Sequence, residues 1–132
     1  MKWRIYKHYC RFIHNVDDRP ELVDKACLTP HQHGFDPNPP CVFEFIVGSD
    51  KWIDFKEIKV KAIKVIESLA NSISEDPTDK IPYYDFGTQD TENLTDDLKK
   101  LLLIELQHIS PVKVQIWLDE TRKYSIWDDG SS

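Results

Sequence analysis

The chain has 132 residues, 40% of them hydrophobic and 30% charged, with a formal net charge of -6. That length fits one domain over residues 1–132 with a real core, and excludes two ordinary ones. The acidic balance argues against a nucleic-acid binder, which would concentrate Lys and Arg on one face. No apolar run approaches the roughly 20 residues of a membrane span, and Met1-Lys2-Trp3-Arg4-Ile5-Tyr6 lacks a signal-peptide core. A cytoplasmic protein with no membrane partner is expected, its three cysteines, Cys10, Cys27 and Cys41, reduced.

In chain order, Trp3 to Ile13 alternates in character, with Trp3, Ile5, Tyr9 and Ile13 on one face and Tyr6, Cys10, Phe12 and His14 on the other. Period two with aromatic and β-branched residues predicts a strand partly covered on both faces. Asn15 to Pro40 carries five prolines and no sustained period, a long loop of the kind that is functional or disordered. Inside it lies Cys27-Leu28-Thr29-Pro30-His31-Gln32-His33-Gly34-Phe35. Two histidines one residue apart place both imidazoles on one side of an extended segment, where they can share a cation, and a thiol stands four residues upstream. Cys41–Val47 reads as a second strand, antiparallel to the first, with Cys10 and Cys41 as core residues.

Asp54 is a candidate N-cap for an amphipathic helix with Phe55, Ile58, Ala62, Ile66, Leu69 and Ile73 on its apolar face and lysines mainly opposite. Ser74 to Asp90, with two prolines, a glycine and several acids, reads as a connection. Asp90 or Thr91 can cap a second helix carrying Leu94, Leu98, Leu101, Leu102 and Ile109, which Pro111 stops. Val112, Val114, Ile116 and Leu118 then alternate with polar positions and Trp117, and Tyr124–Trp127 forms a short last strand. His8 and His108 are expected to be partly exposed. The order strand, strand, helix, helix, strand, strand predicts an α+β fold: an antiparallel four-stranded sheet with two helices on one face. Its uncovered face and two edges favour oligomerisation.

The motifs in this order resemble the tetrahydropterin synthases, comprising 6-pyruvoyl-tetrahydropterin synthase and the queuosine-pathway 6-carboxy-tetrahydropterin synthase. Phe12-Ile13-His14 is similar to the family's Ala-His or Ser-His at the end of strand one, and Cys27-x-x-x-His31-Gln32-His33-Gly34-Phe35 to its Cys followed by His-Gly-His and an aromatic. Trp52-Ile53-Asp54-Phe55-Lys56-Glu57-Ile58-Lys59, Ile81-Pro82-Tyr83-Tyr84 and Thr91-Glu92-Asn93-Leu94 resemble segments opening or preceding its helices. The resemblance covers nearly the whole chain. It implies a tunnelling fold whose sheets join into a barrel, as trimers or hexamers. It also implies Zn2+ held by His14, His31 and His33, a dihydroneopterin triphosphate substrate, and Cys27 as general base.

The same resemblance marks Thr91 and Glu120 as substrate contacts, Thr91 equally readable as part of a helix cap. The family's anchoring glutamate precedes a Thr late in strand three; here Glu120-Thr121 stands two residues beyond that register, about 7 Å along a strand. Where the family has an Asp-His proton relay, this chain has Ile73-Ser74 followed by Glu75 and Asp76. Asp36-Pro37-Asn38-Pro39-Pro40 is an insertion before strand two. Three readings follow. One is an enzyme of this type. Another is a zinc-containing pterin or purine binder without turnover, or an assembly partner. The third is altered chemistry in which Asp85, Asp119 or Glu75 moves the proton.

Overall fold

The first strand governs the architecture because its alternating residues must serve two faces at once. A computed structural model of the chain describes residues 1–15, 31–119 and 125–126. Strand β1 (Lys2–Asn15) buries Tyr6, His8, Cys10, Phe12 and His14, while Trp3, Ile5 and Tyr9 on the other face remain about half exposed. β2 (His31–His33) and β3 (Cys41–Ser49) both run antiparallel to β1. Cys10 and Cys41 are register partners and fully buried, as their strand positions predict. β6 (Val112–Asp119) lies antiparallel to β3 and turns Val114, Ile116 and Leu118 inward; β7 (Ser125–Ile126) pairs with β6.

Helix α1 (Phe55–Leu69) begins where Asp54 accepts a hydrogen bond from the Lys56 amide, and buries Ile58, Ala62, Val65 and Ile66. Helix α2 (Thr91–Glu105) is capped by Asp90, whose carboxylate accepts from the Asn93 amide at 2.7 Å, and buries Leu94, Leu98 and Leu102. Both helices join one hydrophobic core with Phe43, Phe45, Val47 and Ile116, so both cover the same face of the sheet. Lys61 and Lys64 of α1 reach Glu105 at the end of α2 and clasp the pair from outside.

Four expectations need correction. The sheet is neither four-stranded nor wholly antiparallel. It is mixed and open, in the order β4-β5-β1-β3-β6-β7, with β2 also on β1. Segment 74–90, expected to be a connection, supplies most of a hairpin: β4 (Ser72–Glu75) and β5 (Pro82–Thr88), the latter parallel to β1. Its prolines lie at or outside the strand ends, and Tyr84 and Phe86 alternate inward between Tyr83 and Asp85, a period too short to stand out beside the turn residues. Ile73 follows the helical spacing of α1 yet belongs to β4 and is 48% exposed, because the helix ends at Leu69 and the Asn71 amide bonds to the Asp85 carbonyl at 2.7 Å. Finally, His8 is buried. It stands on the inward parity of β1 between Tyr6 and Cys10, and its ring nitrogens meet the Tyr6 and Tyr84 hydroxyls at 2.9 and 2.8 Å.

Among the described residues, no helix is long and apolar enough to cross a membrane.

Candidate metal centre

The end of β1 carries His14, and β2 is laid beside it in a register that pairs His14 with His31 and Phe12 with His33. Because side chains alternate along a strand, His31 and His33 share a face while Gln32 between them is exposed. Pairing therefore converts a sequence spacing into a cluster. One ligand atom from each of His14, His31 and His33 lies within 4.8 Å of the other two. The rings of His14 and His31 meet edge to face with centroids 5.7 Å apart, and those of His14 and His33 at 4.8 Å.

Two features hold β2 in place. Gly34 leaves the strand at φ +81°, a conformation that costs a side-chain-bearing residue energy. A Cβ at Gly34 would also stand 2.9 Å from the Cys41 amide nitrogen and 3.2 Å from the Cys10 carbonyl oxygen. On the other side, the His33 ring stacks on Phe12 at 4.7 Å, and Phe12 in turn packs on Phe86 at 5.4 Å. The histidines thus have an apolar aromatic wall at their back.

The tautomer of His14 follows from its neighbour. A backbone carbonyl only accepts, so the 2.6 Å contact between His14 Nδ1 and the Gln89 oxygen is an Nδ1–H donation, which leaves Nε2 with its lone pair toward the cluster. Histidines that bind metals are oriented in this way by a partner on the other ring nitrogen. The Gln89 amide bonds back to the Asn15 carbonyl at 2.9 Å, tying the end of β1 to the start of α2.

His14 Nε2 lies 2.8 Å from His33 Nε2, so with His14 accepting, the His33 nitrogen is the donor. Burial, and then the neighbouring His14 and His31, pull the His33 pKa down to about 4, which keeps that imidazole neutral at pH 7. Neutral imidazoles are ligands, and nitrogens on a tetrahedral zinc with bonds of about 2.0–2.1 Å stand roughly 3.3 Å apart, so a small parting of His14 and His33, with the His33 proton moved to Nδ1, admits an ion. The donor set and its spacing fit a metal. Three protein ligands leave a position for water or substrate, as in catalytic sites.

Of the predicted site residues, the structure brings together His14, His31 and His33. Thr91 stands two residues beyond Gln89, in the first turn of α2, 8% exposed, its carbonyl accepting from the Thr95 hydroxyl; the capping side chain is that of Asp90. Cys27 and Glu120 lie outside the described residues. Asp85 follows the parity of Tyr83, away from inward Tyr84 and Phe86, and accepts from the Gly87 amide at 2.9 Å, which turns its side chain to the face opposite the histidines. The Gln89 carbonyl that orients His14 was missed, and it leaves no mark in sequence because any residue supplies a carbonyl.

No protein-family model matches the chain, and no curated protein matches it.

Proposed function

We propose that this protein is a zinc-dependent enzyme of the tetrahydropterin synthase type, acting on dihydroneopterin triphosphate by triphosphate elimination or side-chain cleavage in a pterin or queuosine-type pathway. The observation that carries the reading is the convergence of His14, His31 and His33 within 4.8 Å, drawn from two separate stretches of sequence whose motifs resemble that family. Three imidazoles suit zinc, which would supply Lewis-acid polarisation of a substrate oxygen. The chain's own residues do the rest. Gln89 holds His14 in its ligating tautomer, Phe12 and Phe86 exclude water behind the cluster, and Cys27 takes the proton. In this reading the half-exposed face with Trp3, Ile5 and Tyr9 lies toward other subunits, the sheets joining into a trimeric or hexameric barrel.

A second reading, a zinc-holding binder of pterin or purine-like ligands without turnover, is favoured by one observation. All five histidines of the chain are occupied: three in the cluster, His8 between Tyr6 and Tyr84, and His108 on Glu57 at 2.5 Å. None remains for a proton relay beside β4, where the resemblance would place one.

Incubation with dihydroneopterin triphosphate separates the two. Triphosphate release or a cleaved product that disappears in His31→Ala and Cys27→Ala supports the enzyme. Saturable binding with no product supports the binder, and neither binding nor product removes both readings.

A further inference from the structure

On the face of the sheet turned away from the histidines there is a cavity of about 270 Å3. Arg11 and Tyr83, register partners on β1 and β5, form its floor, since each alternates with an inward neighbour, Phe12 and Tyr84. Phe35 and Asp36 stand on one side and Glu75 and Asp76 on the other. The Phe35 and Tyr83 rings meet edge to face at 5.2 Å, an apolar, π-rich lining.

The charges decide what such a cavity holds. Arg11 is engaged through all three of its nitrogens, Nε donating to the Gly34 carbonyl at 2.9 Å, Nη2 to Asp79 at 2.7 Å, and Nη1 to Asp79 at 3.3 Å with Asp76 4.0 Å away, so its charge is met within the protein. It acts as a strut between β1, the chain after β2 and the turn of the β4–β5 hairpin. The carboxylates are less committed. Among the described residues Glu75 faces only an exposed Lys80 at 3.9 Å, and Asp36 forms no ion pair. Three carboxylates against one neutralised guanidinium and one exposed lysine favour a cation. A bare metal ion does not fit, because among the described residues only the three histidines bring three ligand atoms close together. What remains is a cation with an apolar body, its charge reaching the rim carboxylates and its body lying on the aromatic rings.

We propose that this cavity is a second small-molecule site, selective for an organic ammonium or guanidinium with a flat or apolar body. It is independent of the histidine cluster. Benzylammonium, titrated into the protein and followed by amide chemical shifts, is the test. Saturable shifts are expected at Phe35, Asp36, Glu75 and Tyr83 with a dissociation constant in the millimolar range. Benzyl alcohol and benzoate, with the same ring but neutral or negative, are expected to give none. The double substitution Asp36→Asn with Glu75→Gln changes two exposed side chains that are not part of the core, and is expected to weaken binding about fivefold. Tyr83→Leu weakens it as well, and His31→Ala leaves it unchanged. Absence of saturable shifts, equal binding of benzyl alcohol, or unchanged affinity in the double variant would overturn the proposal.

Discussion

His14 shows how much of a candidate ligand's geometry is set by its neighbours. Its Nδ1–H is fixed by the Gln89 carbonyl, its ring is flanked by His31 and His33, and its side chain is 2% exposed. Removing any of the three imidazoles should cost more than the 10- to 100-fold in metal affinity typical of losing an outer partner. His31→Ala and His33→Ala, only partly buried, should do so while leaving the far-ultraviolet circular dichroism unchanged. Unaltered affinity in either variant would show that the ion sits elsewhere. His8 has a different fate. Burial, with a smaller push from Lys59, lowers its pKa from 6.5 to about 4. The unfolded chain therefore takes up the proton first. The contribution of neutral His8 is whole above pH 6.5 and is lost as the pH falls toward 4, up to about 3 kcal/mol. Urea midpoints of metal-free protein should drop across that window, and the His8 ring should titrate near 4 by NMR. Titration near 6.5 would contradict the buried arrangement.

At the scale of elements, the site depends on how β2 is closed and how α2 is opened. Gly34→Ala places a Cβ in a left-handed conformation against the Cys41 amide, and should cost about 1–3 kcal/mol, read as a lowered thermal midpoint with reduced zinc retention. Asp90→Ala removes the cap that receives the Asn93 amide, and should cost about 1 kcal/mol. Because Gln89 immediately precedes that cap, the same change should loosen His14 and weaken metal binding. A variant that loses stability and keeps full affinity would uncouple the two.

The elements also show what could be read in advance. Both faces of β1, the antiparallel β1–β3 pair and both helix starts were legible, because long periodic runs and capping residues carry their signal locally. Of the three histidines, His31 and His33 were legible because period two puts them on one side, whereas His14 was reached only through the family resemblance, since its meeting with β2 is a long-range pairing. The β4–β5 hairpin was not, since its inward residues are few and its pairing with β1 is a long-range choice. Ile73 kept a helical spacing after the helix had stopped, and only the bond from Asn71 to the carbonyl of Asp85 reveals why. The burial of His8 was marked by parity, which its polarity masked.

For the whole molecule, the uneven coverage of the sheet has the larger consequence. Both helices cover one face, while Trp3, Ile5 and Tyr9 stay about half exposed on the other. Trp3 lies across Gly48, its register partner on β3, where an added Cβ would meet the ring at 2.7 Å, so part of that face is already filled by its own aromatic. The exposed apolar positions Trp3, Ile5 and Tyr9, with the charged Lys7 between the last two, are the surface on which the proposed assembly would rest. Ile5→Glu should leave the folded chain intact and shift sedimentation toward the monomer. Unchanged sedimentation of a multimer would place the interface elsewhere, and a monomeric wild type would rule out the barrel.

Everything proposed for the site depends on His14, His31 and His33 joining around one metal ion. The most direct measurement is metal content per chain after purification, repeated after zinc reconstitution, for the wild type and for His31→Ala and His33→Ala. About one zinc per wild-type chain and a marked loss in both variants are expected. Folded wild-type protein that holds no stoichiometric zinc even after reconstitution would contradict the shared metal site.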